Sequence, residues 1–151
     1  MQSHGLYFED HEVGARYETR ARTVCEADIT SFVNLCGFTE PLFYDMEYVA
    51  RESIFTARPA PGAFTFALSE GLVIQTGLIH GTGMSYLGGE IRVVAPVVVD
   101  DTIRVAVTIA EKRETKKPDR GIVTYQHTVT NQRGEVVLEA VIKRMIRRRA
   151  A

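Results

Sequence analysis

The side chains in this sequence best placed to hold or move a proton are Glu40, Tyr44, Asp45, Glu70, His80 and His127. General acid/base chemistry needs such a group within hydrogen-bond reach of the reacting atom, with its pKa drawn toward the operating pH. Glu40 stands between Phe38 and Phe43. If that stretch lines a pocket, apolar neighbours raise its pKa toward general-base range; otherwise it is a solvated loop carboxylate. Glu70 lies in a segment that is apolar nearly all round, so it needs a partner. That partner belongs either to catalysis or to a structural hydrogen bond. Asp45 precedes a helical pattern and reads as a helix cap. Tyr44 reads as a half-buried aromatic with a wet hydroxyl. His80 falls in a loop, and His127 alternates with Val123, Tyr125 and Val129 as a satisfied sheet histidine. Ser69 has no nucleophile-elbow context, which argues against a serine hydrolase. Cys25 and Cys36 lack metal-ligand spacing, so no metal site is expected. They read as small buried hydrophobes in a reducing compartment.

Composition narrows the classes further. The chain has 151 residues, 45% apolar and 25% charged, which suits one globular domain over residues 1–151. A net charge of −1 supplies no field for nucleic acid or an anionic membrane. The longest apolar stretch, near Gly62 to Ile79, is interrupted by Ser69, Glu70, Gln75 and Thr76. It therefore reads as a buried helix and not a membrane span. Met1 to Asp10 shows no basic-then-apolar leader pattern. Together with the sparse cysteines, this makes the cytoplasm the expected location.

The elements that must position these residues follow from periodicity. Arg16 to Val24 reads as a strand. Thr23 and Glu26 fit a capping box, and Ile29, Phe32, Val33 and Cys36 recur at helical spacing, giving a helix over Glu26 to Cys36 closed by Gly37. Phe38 to Pro61 is a proline-bearing excursion with one short helix around Met46 to Arg51. Gly62 to Thr76 is a helix apolar on almost every side, hence central. Strands follow at Met84 to Val94, around Ile103 to Ile109, around Val123 to Val129, and from Val136 to Arg147, with a turn at Asn131 to Gly134. Helices grouped early and strands grouped late predict an α+β fold, an antiparallel sheet wrapped on a central helix.

Several segments resemble one family along almost the whole chain. These are Tyr7-Phe8-Glu9-Asp10 with Val13-Gly14; Thr23, Glu26, Asp28 and Phe32; Ala60-Pro61-Gly62; Ala95-Pro96-Val97 with Asp101-Thr102-Ile103; and Asn131 to Val136. In this order and spacing they resemble MaoC-like acyl-CoA dehydratases and (R)-specific enoyl-CoA hydratases, which have the hot-dog fold. The resemblance implies water addition to, or removal from, an enoyl thioester, with coenzyme A entering only as part of the substrate and no further cofactor.

The family segment Gly-Asp-x-Asn-Pro-hydrophobic-His-x-Asp resembles Gly37-Phe38-Thr39-Glu40-Pro41-Leu42-Phe43-Tyr44-Asp45. By that likeness Phe38 stands at the catalytic Asp position and Phe43 at the His position, while a third polar position falls on Glu70. Phenylalanine can neither accept nor donate a proton. Glu40 and Glu70 are then the candidates for a relocated acid or base, in a hydratase or a hot-dog thioesterase. The alternative is a non-catalytic acyl-CoA-binding subunit. Gly62, at the start of the central helix, is implied as the donor to the thioester oxygen, with Phe38, Phe43 and Phe64 about the acyl group. Arg58, Lys116-Lys117-Pro118 and the basic run Lys143 to Arg149 are either a solvated face or contacts to coenzyme A phosphates. A homodimer, or a heterodimer with a MaoC-like paralogue, is expected through the strand adjoining Met84 to Val94.

Overall fold

The computed structural model describes residues 4–149. Its spine is an antiparallel sheet of β1 (Arg16–Glu18), β2 (Arg22–Thr23), β3 (Gly83–Val93), β4 (Thr102–Glu114), β5 (Arg120–Thr130) and β6 (Val136–Arg147), with the predicted period-two alternation clearest from Ile103 to Ile109 in β4. The order is β1-β4-β5-β6-β3, and β2 pairs with β4. The single first strand expected over Arg16 to Val24 is two short pieces, because Thr19 to Ala21 leaves the ladder between them.

Helix α1 (Glu26–Cys36) has the predicted bounds and ends on Gly37 in the left-handed conformation, φ 74°. Its cap differs from the expectation. The Asp28 carboxylate accepts the backbone N–H and the thiol of Cys25, at 3.0 and 3.1 Å. Thr23 is occupied in β2, where its hydroxyl meets that of Thr102 at 2.8 Å. Glu26 turns instead to Arg58. Both cysteines are exposed free thiols and not buried hydrophobes. Cys25 caps the helix from outside, and Cys36 ends it, beyond Ile29 and Val33, which are its buried positions.

The excursion holds two short helices where one was expected, α2 (Pro41–Tyr44) and α3 (Met46–Glu52). A proline at the first helical position starts α2, since the missing N–H is not needed there. Asp45 caps α3, accepting from the N–H groups of Glu47 and Tyr48 at 3.0 and 3.1 Å. Helix α4 (Gly62–Gln75) then lies against the sheet. Phe64, Leu72 and Val73 join Ile103, Val105, Val107 and Ile109 in one core, so the sheet wraps the helix as predicted. Asn131 fixes the last hairpin by accepting from the N–H groups of Arg133 and Glu135.

Part of the basic run at the end is committed to ion pairs, while Lys143 and Arg147 are exposed. Arg148 pairs with Glu9 and Glu114, and Arg149 pairs with Asp10 at 2.6 Å. These contacts fasten the amino-terminal turn to the end of β6. The guanidinium of Arg148 holds the Glu9 carboxyl down at about 2, and that of Arg149 lowers Asp10 likewise.

Candidate functional site

Two places bring the sequence candidates together, one at the amino end of α4 and one at its middle. At the amino end, Pro61 is the cap residue and offers no capping side chain. The first N–H groups of a helix have no intrahelical acceptor, and the dipole makes that end positive. Here Thr65 is the first residue whose N–H finds a helical carbonyl, that of Pro61 at 3.1 Å. Gly62 packs so tightly on β3 that an added Cβ would meet Val93 Cγ2 at 2.9 Å.

Beside Gly62 opens a depression of about 370 Å³, within the range of small-molecule sites, lined by Leu42, Phe43, Ile54, Phe55 and Val93 among others. Every lining residue is uncharged. Phe43 forms part of its wall. Phe38 stands behind, with rings 6.1 Å apart in an edge contact. Phe38 in turn packs on Phe32, and Phe32 on Phe64, so Phe64 faces the core and does not line the depression.

Arg58 fixes this wall. Its guanidinium donates to Glu26 and Thr30, both at 2.7 Å, and to the carbonyl oxygen of Phe43 at 2.9 Å. A side chain so committed is part of the scaffold and not a phosphate contact. Glu40 is exposed, immediately before α2. Tyr44 is half exposed and donates to Asn34. His80 is exposed.

The second place is under the middle of α4. Arg144 of β6 donates to Glu70 Oε2, and the two form an ion pair in which their side chains are only 8% and 17% exposed. His127 of β5 brings Nδ1 to 3.3 Å from Glu70 Oε1. The alignment is too poor for a hydrogen bond, so Glu70 Oε1 and both ring nitrogens of His127 stay buried without a partner. The expected satisfied sheet histidine is therefore a sheet histidine with unmet groups. Burial, aided by the charge of Arg144, pushes its pKa down to about 4 and keeps it neutral.

Sequence reasoning missed Arg144 as the partner of Glu70. The alternation of β6 carried the signal, because Arg144 shares its face with Leu138, Ala140, Ile142 and Ile146. It also missed His11, whose Nδ1–H donates to the carbonyl of Tyr7 at 2.8 Å. Nε2 is then the acceptor for the Tyr125 hydroxyl at 2.7 Å. That pair is fully satisfied and structural. Among the described residues no cluster of metal-ligating side chains occurs, and no helix is long and apolar enough to cross a membrane.

This wrapped sheet has known counterparts. A Mycobacterium tuberculosis protein with a double hot-dog fold superposes with a TM-score of 0.85 at 18% identity, over 96% of this chain and 45% of that one. At that identity the likeness defines the fold. A monoamine oxidase regulatory protein from Archaeoglobus fulgidus superposes with a TM-score of 0.90 at 33% identity, covering 99% of both chains. An (R)-specific enoyl-CoA hydratase of Rhodospirillum rubrum is 31% identical over 88% of this chain and 86% of its own length. Protein MaoC of Klebsiella aerogenes is 36% identical over 76% of this chain, which spans 33% of that longer protein. A family model described as the MaoC like domain matches residues 9–131. The chain belongs to the MaoC-like dehydratase family.

Proposed function

We propose that this protein binds an acyl or enoyl thioester of coenzyme A with the thioester oxygen at the amino end of α4, and that it does not itself hydrate that thioester there. The carrying observation is the wholly uncharged depression beside the open helix end at Gly62. Free backbone N–H groups and the positive end of the dipole suit a polarised thioester oxygen. The relative from Rhodospirillum rubrum is an enoyl-CoA hydratase, which supports the ligand class. Phe38 and Phe43, at the positions that resemble the family dyad, carry no proton. Glu40 points to solvent from a loop. Glu70 lies eight residues along α4, about 12 Å at the helical rise, and is held by Arg144. That is beyond reach of a reacting carbon next to an oxygen bound at Gly62. A fatty acid or related acyl-CoA metabolic setting in the cytoplasm goes with this reading, and the exposed free thiols suit a reducing compartment.

A second reading is favoured by the bare edge of β3, which exposes Tyr86, Leu87, Ile91 and Val93. In it the chain completes the site of an active MaoC-like partner. Calorimetry with crotonyl-CoA, alongside assays of hydration and of thiol release, tests the proposal. Binding with little turnover is expected, and Phe38→Asp with Phe43→His should create measurable hydration. No binding by a folded protein would overturn the thioester site. Native turnover that drops about 10² in Glu40→Gln or Glu70→Gln, the usual worth of a general acid/base, would restore a relocated base and overturn the non-catalytic assignment.

A further inference from the structure

Three large apolar side chains that line the depression beside Gly62 are left bare: Ile54, Val93 and Val94 are 91%, 54% and 46% exposed. Val93 ends β3 and Val94 follows it. Ile54 comes from the turn after α3, and that turn is held at both ends. The Ser53 hydroxyl donates to the carbonyl of Val49 at 2.7 Å and accepts the N–H of Phe55 at 3.1 Å. Further on, the carbonyl of Arg58 accepts the N–H of Val99 at 3.0 Å, and Ala60 N–H donates to the carbonyl of Val97 at 2.8 Å. Ile54 is thus fixed in place with almost its whole side chain in water. A lone surface isoleucine is ordinary. This one shares the wall of a cavity with Leu42, Phe43 and Phe55. Apolar surface set this way gains when an apolar group covers it, about fourfold in affinity for each methylene buried.

The depression also limits what can cover it. At about 30 Å³ each, the share of one water in the liquid, 370 Å³ holds at most about a dozen small groups. That suits an acyl group and leaves the body of coenzyme A outside. No lining side chain carries a charge or a hydrogen-bonding group. A carboxylate buried there would lose its water with nothing in exchange. The free N–H groups at Gly62 go to the thioester oxygen, and Arg58 is committed to Glu26, Thr30 and the Phe43 carbonyl. Resting on the thioester site at Gly62, we propose that Ile54 and the wall around it determine which acyl group is bound. They admit an uncharged hydrocarbon acyl group and refuse one that ends in a carboxylate.

The test is calorimetry of the full chain with butyryl-CoA and succinyl-CoA, which match in carbon number and differ in ending on a methyl or a carboxylate. The coenzyme A moiety is common to both, so its contribution cancels in the ratio. Butyryl-CoA should bind about a hundredfold tighter, the effect of leaving a carboxylate desolvated and unpaired. Ile54→Lys changes a side chain that the fold leaves exposed. It should weaken butyryl-CoA and strengthen succinyl-CoA, closing the gap by about tenfold or more. A role for Ile54 only in folding, or only in pairing with a second copy, would move both affinities the same way. Equal binding of the two thioesters to the wild type, or an unchanged ratio in folded Ile54→Lys, overturns this selection and leaves the Gly62 site standing. The wild-type comparison decides even if the variant fails to fold. Failure of both thioesters to bind the wild type overturns the selection and the Gly62 site together.

Discussion

His127 is the residue whose burial has the plainest thermodynamic consequence. Its neighbours are Arg144, which opposes a second positive charge, and Glu70, whose charge is already committed to that arginine. The folded pKa of about 4 lies below the usual histidine value of 6.5, so between these the unfolded chain binds more protons than the native one. Stability therefore rises with pH in that window and is lost as pH falls through it. Between pH 7 and pH 5 the loss is about 2 kcal/mol for this one group. His11, also lowered by burial, contributes with the same sign. The carboxylates held low by Arg148 and Arg149 stay ionised throughout that range. Urea unfolding at pH 7, 6 and 5 should show the decline, and His127→Gln should flatten it. A variant with an unchanged slope would mean that the imidazole is not the group being protonated.

At the scale of elements, one side chain makes three of the hydrogen bonds that tie the excursion between α1 and α4 in place. Arg58 ties Glu26 and Thr30 of α1 to the Phe43 carbonyl at the depression. Arg58→Met keeps the bulk and removes all three bonds, so it should cost about 1–3 kcal/mol and free the segment. Faster proteolytic cleavage between Gly37 and Pro59 is the expected readout; an unchanged cleavage rate would assign the anchoring to the phenylalanine packing alone. This contact also marks where sequence reading stops. The bounds of α1 and α4, the Gly37 cap and the four long strands were legible because each depends on local periodicity or on one residue's backbone preference. Asp45 as a cap was legible for the same reason. The partners of Arg58, Glu70 and Arg148 were not, since each pair joins residues far apart in the chain. The cap of α1 slipped from Thr23 to Cys25 because strand pairing with β4 claimed Thr23, a tertiary demand that overrides a local signature.

For the whole molecule, the two edges of the sheet are unequal. One is closed by the short β1 and β2; the other is β3, eleven residues long and exposed nearly throughout. Long bare edges invite pairing, and natural sheets cover them or charge them. Glu90 and Arg92 lie on β3, but Ile91, Val93 and Tyr86 present apolar side chains toward α4. A second copy, or a MaoC-like paralogue, pairing along this edge would bury them and cover the depression at Gly62, which Val93 and Val94 line. A closed two-fold pair is the commonest arrangement that leaves no such edge open. We therefore expect a dimer at micromolar concentration in analytical ultracentrifugation, and a monomer for Ile91→Lys, which sets a charge against the apolar side. Because residues of this edge line the depression at Gly62, the variant should also lose affinity for acyl-CoA. A wild-type monomer, alone and with any paralogue, would remove the pairing. A monomeric variant that binds acyl-CoA undiminished would show that the depression needs no partner to hold its ligand.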